Sequence, residues 1–154
     1  MDAAAAFLAV RPRSVAETTR RLRHLGYRNQ LVEQVVGQLV ALNYLDDEAF
    51  ARAWVESRDR ARPRGELALR RELAQKGVGR EIVDQVLSER QESSADGDSD
   101  MAAALKLLDR RRSTLEREPE PTKRRQKAYA LLARNGFDPD VCRSATTAWL
   151  YPSG

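Results

Sequence analysis

Apolar and small side chains return along most of the chain at the period of an α-helix. From Val15 they recur at Thr18, Leu22 and Leu25, and from Leu31 at Val32, Val35, Val36 and Leu39, a spacing of about 3.6 residues that lines one side of a helix. The alternating β-branched runs bounded by turn pairs that mark strands are missing. The pattern predicts an all-α chain.

The helical pattern is written three times. When Gly26, Gly77 and Gly136 are aligned, Leu22, Leu73 or Leu132 stands four residues before each, and Tyr27, Val78 or Phe137 follows directly. Five residues after the glycine come Leu31, Ile82 or Val141, and nine after come Val35, Val86 or Ala145. A glycine that ends a helix takes the left-handed conformation at little cost, and the apolar residue after it folds back on the helix just ended. Each glycine is thus expected to join two helices. Arg11-Pro12-Arg13-Ser14 and Arg62-Pro63-Arg64-Gly65 repeat at an offset of 51 residues, each where a helix should start. In the third copy Asp138 is a good N-cap, with Pro139 at the first helical position.

A further helix opens each copy: a short one over Asp2 to Val10, one from the acidic run Asp46-Asp47-Glu48, and one near Asp100. The expectation is nine helices in three tandem three-helix repeats, spanning 1–42, 43–90 and 100–150 and stacked into an elongated, curved array. Residues 91–99 are polar and acidic and read as a linker. Glu118-Pro119-Glu120-Pro121 lengthens a connection inside the third repeat.

Charge sharpens this picture. The 154-residue chain carries 27 Lys and Arg against 23 Asp and Glu, but the balance is uneven. Six arginines face the single acid Glu17 between Arg11 and Arg28, and seven basic residues face three acids between Arg58 and Lys76. Such blocks suit an anionic partner, either nucleic-acid phosphates or an acidic protein surface. No apolar run approaches the ~20 residues that cross a bilayer, and the first ten residues lack the charge pattern of a signal peptide; a cytoplasmic protein is expected.

Candidate chemistry is sparse. One cysteine and one histidine, Cys142 and His24, exclude an internal disulfide and a histidine-dependent triad and leave no metal-ligand spacing. Asp46, Asp47 and Glu48 read as charge at a helix N-terminus rather than metal ligands. Phe50 and Trp54 read as core, Ser14 as a cap, and Cys142, which aligns with Val32 and Val83, as a small buried hydrophobe. No constellation of base, nucleophile and metal is present, so no enzyme, cofactor or metal is expected.

The run Leu42-Asn43-Tyr44-Leu45-Asp46-Asp47-Glu48-Ala49-Phe50-Ala51 resembles the acidic block of the RecX family, with Asn43 where that family usually has glycine. Leu69-Arg70-Arg71-Glu72-Leu73-Ala74-Gln75-Lys76-Gly77-Val78 resembles its next block in order and spacing. Arg11 to Ser14 and Leu132 to Phe137 match the family's other copies, so the resemblance covers nearly the whole chain. It implies a regulator that binds the RecA recombinase and its filament on single-stranded DNA and suppresses strand exchange and ATP hydrolysis; a monomer is expected, with weak direct DNA binding as a further possibility. The residues expected to touch the recombinase or its DNA are Arg58, Arg62, Arg64, Arg70 and Arg71, with Arg11, Arg13, Arg20 and Arg21 repeating the arrangement on the first copy. The rival is a helix-turn-helix DNA reader. The helices that would enter the groove carry Glu33 and then Glu81, Asp84 and Glu89, which disfavours groove reading.

Overall fold

The computed structural model describes residues 1–153, and among them it contains helices and no strand. The first repeat holds α1 (Asp2–Val10), α2 (Val15–His24) and α3 (Asn29–Ala41). The second holds α4 (Asp47–Ala61), α5 (Glu66–Gln75) and α6 (Arg80–Ser93). The third holds α7 (Ser99–Arg110), α8 (Arg112–Glu116), α9 (Pro121–Arg134) and α10 (Pro139–Leu150). The described helices number ten rather than nine. Arg111 leaves helical geometry at φ −105° and ψ 12°, and the short α8 that follows returns Leu115 to the core.

Local chemistry sets the helix ends. Ser14 and Glu17 form a capping box at α2: the Ser14 hydroxyl accepts the Glu17 amide at 3.1 Å, and the Glu17 carboxylate accepts the Ser14 amide at 3.2 Å. This satisfies two otherwise orphaned donors. Asp46, Asp98 and Asp138 cap α4, α7 and α10 in the same sense. At the other ends, Gly26, Gly77 and Gly136 take φ of +90°, +78° and +85°. The amide after each glycine donates to Leu22, Leu73 or Leu132 at 3.0–3.3 Å, so all three turns are Schellman closures. Asn43 closes α3 by the same geometry at φ +62°, with the Tyr44 amide donating to Leu39 at 2.9 Å.

By packing, the chain forms two compact units. The first comprises Met1–Trp54 and Glu72–Val86; the second comprises Val55–Arg71 and the chain from Leu87 onward. In the first, Ala4, Leu22, Val32, Leu39 and Leu45 form a core backed by Leu8, Val15, Val35 and Val36. Phe50 is buried, with its ring stacked on Trp54 at 6.0 Å between centroids. In the second, Ala104, Leu107, Leu108, Leu115, Leu132, Phe137 and Cys142 make the main core. Each fully buried leucine is worth roughly 1.5–3 kcal/mol over an exposed one.

The polar stretch after the second repeat is shorter than its composition suggests. Helix α6 runs on through Ser93, and the Gln91 side chain accepts the Ser99 amide at 3.0 Å and the Ser99 hydroxyl at 2.7 Å while donating to the Gly97 carbonyl.

Candidate partner-binding surfaces

One joint is built twice, once in each unit. In the first unit, the N-terminus of α2 docks on the turn after α5. The Ser14 hydroxyl donates to the Lys76 carbonyl at 2.6 Å, and the Val15 amide donates to Asp47 of α4 at 2.9 Å. Gly77 lies against Ala16 so closely that an added Cβ would sit 2.3 Å from the Ala16 Cβ. In the second unit, the N-terminus of α5 docks on the turn after α9. The Gly65 amide donates to the Asn135 carbonyl at 2.9 Å, and the Glu66 amide donates to both carboxylate oxygens of Asp100 at 3.0–3.1 Å. A Cβ on Gly136 would sit 2.2 Å from the Ala68 Cβ.

Charge is buried at both joints. Glu17 takes salt bridges from Arg11 at 3.1 Å and Lys76 at 3.5 Å. Burial alone would push its carboxyl up, but the Ser14 amide, Lys76 and Arg11 outweigh that and hold it below the usual carboxylate range. In the second unit Arg90, almost entirely covered, grips both oxygens of Asp59 at 2.9–3.0 Å and donates to Asp100 and to the Arg64 carbonyl. Burial works against the Arg90 charge, and the bonds to Asp59 and Asp100 overcome it. Burial also raises the Asp100 carboxyl, in spite of the Glu66 amide and Arg90. These are structural roles. In the sequence Asp100 is legible only as a helix start, and nothing there marks Arg90 or Asp59.

The nine candidate arginines fall into two groups. Arg58, Arg62, Arg64, Arg70 and Arg71 lie in the second unit; Arg11, Arg13, Arg20 and Arg21 lie in the first. Arg62 and Arg71 are exposed and have no ion pair among the described residues, and the same holds for Arg21. Arg70 pairs with Glu66 at 3.0 Å, Arg58 is half-buried and partnered, and Arg64 is half-buried with its carbonyl engaged by Arg90. Arg11 serves Glu17. Arg13 is largely covered, with its guanidinium 4.0 Å from the centre of the Phe7 ring. Arg20 donates to the Ala16 and Gln75 carbonyls. Of the nine candidates, the exposed ones without an ion pair are thus Arg62 and Arg71 in one unit and Arg21 in the other.

The remaining candidates resolve into packing. Asp46 caps its own helix, Asp47 caps α2, and Glu48 turns to Arg52 and Gln85, so the acidic run diverges. Among the described residues no three His, Cys, Asp or Glu side chains are arranged to hold a metal. Cys142 is buried, and burial pushes its thiol up, away from the thiolate a nucleophile needs. No described helix is long and apolar enough to cross a membrane.

Glycine-closed three-helix repeats, locked by buried polar joints and edged with arginine, define a helical-repeat protein. Residues 46–87 match the family model for the second three-helix domain of RecX, and residues 98–146 match that for its third. The chain is 34% identical over 143 residues to the regulatory protein RecX of Prosthecochloris aestuarii, covering 93% of this chain and 88% of that one. It is 33% identical over 144 residues to RecX of Mycobacterium sp. strain JLS, covering 93% and 77%. The crystal structure of RecX from Lactobacillus salivarius shares the fold at a TM-score of 0.79, with 17% identity over 96% of this chain and 92% of that one. The chain belongs to the RecX family of regulatory proteins.

Proposed function

We propose that the chain binds the RecA recombinase and its filament on single-stranded DNA and lowers ATP hydrolysis and strand exchange, acting in the cytoplasm as a monomer and without catalysis. Membership of the RecX family carries this reading. The exposed, unpaired Arg62, Arg71 and Arg21 support it, because ion pairing within the chain leaves them available to an acidic surface or to phosphates. Several weak contacts spread over repeats add through high effective concentration when the partner is a polymer.

The second reading is direct action on DNA. The helices after the glycine turns carry exposed Glu33, Glu81 and Asp84, which oppose entry into a phosphate-lined groove. Titration of the chain into the cognate recombinase on single-stranded DNA tests the proposal. Falling ATPase and strand exchange at or below equimolar chain is expected. Unchanged ATPase and filament length across the full titration would overturn it.

A further inference from the structure

The joint is built at two of the three glycine turns, and the third is left open. At Gly77 and Gly136 the turn carbonyl accepts a bond from the preceding repeat and the glycine face is filled by an alanine. The residues that follow, Val78 and Phe137, are 5% and 3% exposed. Gly26 has the same left-handed φ and the same closure, yet a Cβ there would meet nothing within 4 Å. Around it Leu25, Tyr27 and Leu31 are 46%, 44% and 44% exposed. Beside this turn a groove of about 480 Å³ runs between α1 and α2, lined by Phe7, Val10 and Leu25 together with Arg13 and Arg21.

The two filled joints define what the open one accepts. Both incoming helices open with a small cap, Ser14 or Gly65, and carry an alanine and an acid in the first turn, Ala16 with Glu17 and Ala68 with Glu66; of the two acids Glu17 meets a basic side chain of its turn, Lys76 at 3.5 Å, whereas Glu66 pairs with Arg70 of its own helix. The rim of the open turn is strongly basic. Arg21, Arg23 and His24 occupy the last turn of α2, with Arg28 just beyond, and Arg21, Arg23 and Arg28 have no ion pair among the described residues. A helix N-terminus led by a carboxylate meets this charge with the opposite sign. A second copy of this chain fits poorly. Its remaining helix of the same rank, α9, starts with Pro121, which has no amide to donate, and carries no acid in its first turn.

We propose that the open turn at Gly26, with the adjoining α1–α2 groove, docks the N-terminus of a helix from a partner protein, one with a Ser or Gly cap and a small residue and a carboxylate in its first turn. The site extends a contact the chain already makes twice. It does not depend on the partner being the recombinase, so it can fail while the proposed function stands, and the reverse.

Two side-chain-stapled helical peptides test it, one opening Ser-Val-Ala-Glu as α2 does and the other Ser-Val-Leu-Lys. Binding to the full chain is followed by amide chemical shifts. The first peptide should bind saturably and shift Gly26, Tyr27 and Leu31, with affinity falling as salt rises. The second should bind at least about tenfold more weakly, as should the first against Leu25→Glu or Arg21→Glu. Both positions are exposed, so circular dichroism should show the variants folded. Absence of binding at millimolar peptide, equal binding of the two peptides, or binding indifferent to both variants would overturn the proposal. So would displacement of the peptide by oligothymidine that shifts the same amides, which would make the turn a nucleic-acid surface.

Discussion

Asn43 and Gly77 show how much one backbone angle constrains. Asn43 sits at φ +62°, where an L residue with a Cβ is crowded and asparagine is among the few side chains that tolerate it. Asn43→Gly should therefore raise stability by about 0.5 kcal/mol, and Asn43→Val should lower it by roughly 1–2 kcal/mol; thermal unfolding of both variants checks the pair. The repeat glycines differ in what an added methyl would meet. Gly26 faces open space, whereas Gly77 faces the Ala16 Cβ. Gly26→Ala should cost about 1 kcal/mol, the conformational part alone, and Gly77→Ala should cost at least about 1 kcal/mol more because overpacking adds to it. Equal midpoints in urea for the two variants would show that the close contact yields without strain.

Between neighbouring helices, capping and charge act together, and Glu17 is the clearest case. Its carboxyl is held below the ordinary value of 4.5 by the Ser14 amide, Lys76 and Arg11, against the opposing effect of burial. A carboxylate with a depressed folded-state pKa contributes stability above its unfolded value, and that contribution is lost as pH falls through the folded one. Glu17→Gln should thus lower stability near neutral pH by about 1 kcal/mol and converge on the parent at pH well below 4.5. A gap that persists into acid would mean that shape, not charge, matters there. The legibility of the sequence divides at this level. The glycine turns could be read because a left-handed closure needs glycine and an apolar follower at fixed offsets, and Gly26, Gly77 and Gly136 keep them. The helix starts could be read because Ser14, Asp46 and Asp138 act on amides two or three residues away. The joints were hidden, because Ser14 reaches Lys76 across 62 residues and Glu66 reaches Asp100 across 34. Their signal was the joint recurrence of an acid at Asp47 and Asp100 with a helix start at Val15 and Glu66, which only a three-dimensional pairing makes meaningful. The split of α7 at Arg111 has no proline or glycine to announce it.

Across the chain, the arginines sort by what they touch, and composition alone could not sort them. Arg62→Glu with Arg71→Glu should leave helical content unchanged and stability within about 0.5 kcal/mol, since exposed charges contribute little to folding. The double variant should still weaken inhibition of the recombinase. If these side chains engage phosphates, affinity for naked single-stranded DNA should fall steeply with salt and the variant should flatten that slope. If it engages protein, filament binding should weaken while naked-DNA binding stays as it was. Inhibition equal to the parent would remove Arg62 and Arg71 from the contact. Arg13→Ala should instead lower stability by roughly 0.5–1 kcal/mol through its lost place over Phe7.

The reach of the Ser14 hydroxyl also bears on birth at the ribosome. Its acceptor, the Lys76 carbonyl, is made 62 residues later, which at about 5–20 residues per second leaves the partner absent for several seconds. During that interval α2 already has its Ser14–Glu17 capping box, but the face of α2 that will meet Gly77 stays bare. A nascent chain stalled before that glycine presents the unsatisfied half of a joint, with the Ser14 hydroxyl and the Ala16 methyl open to water until the turn after α5 emerges.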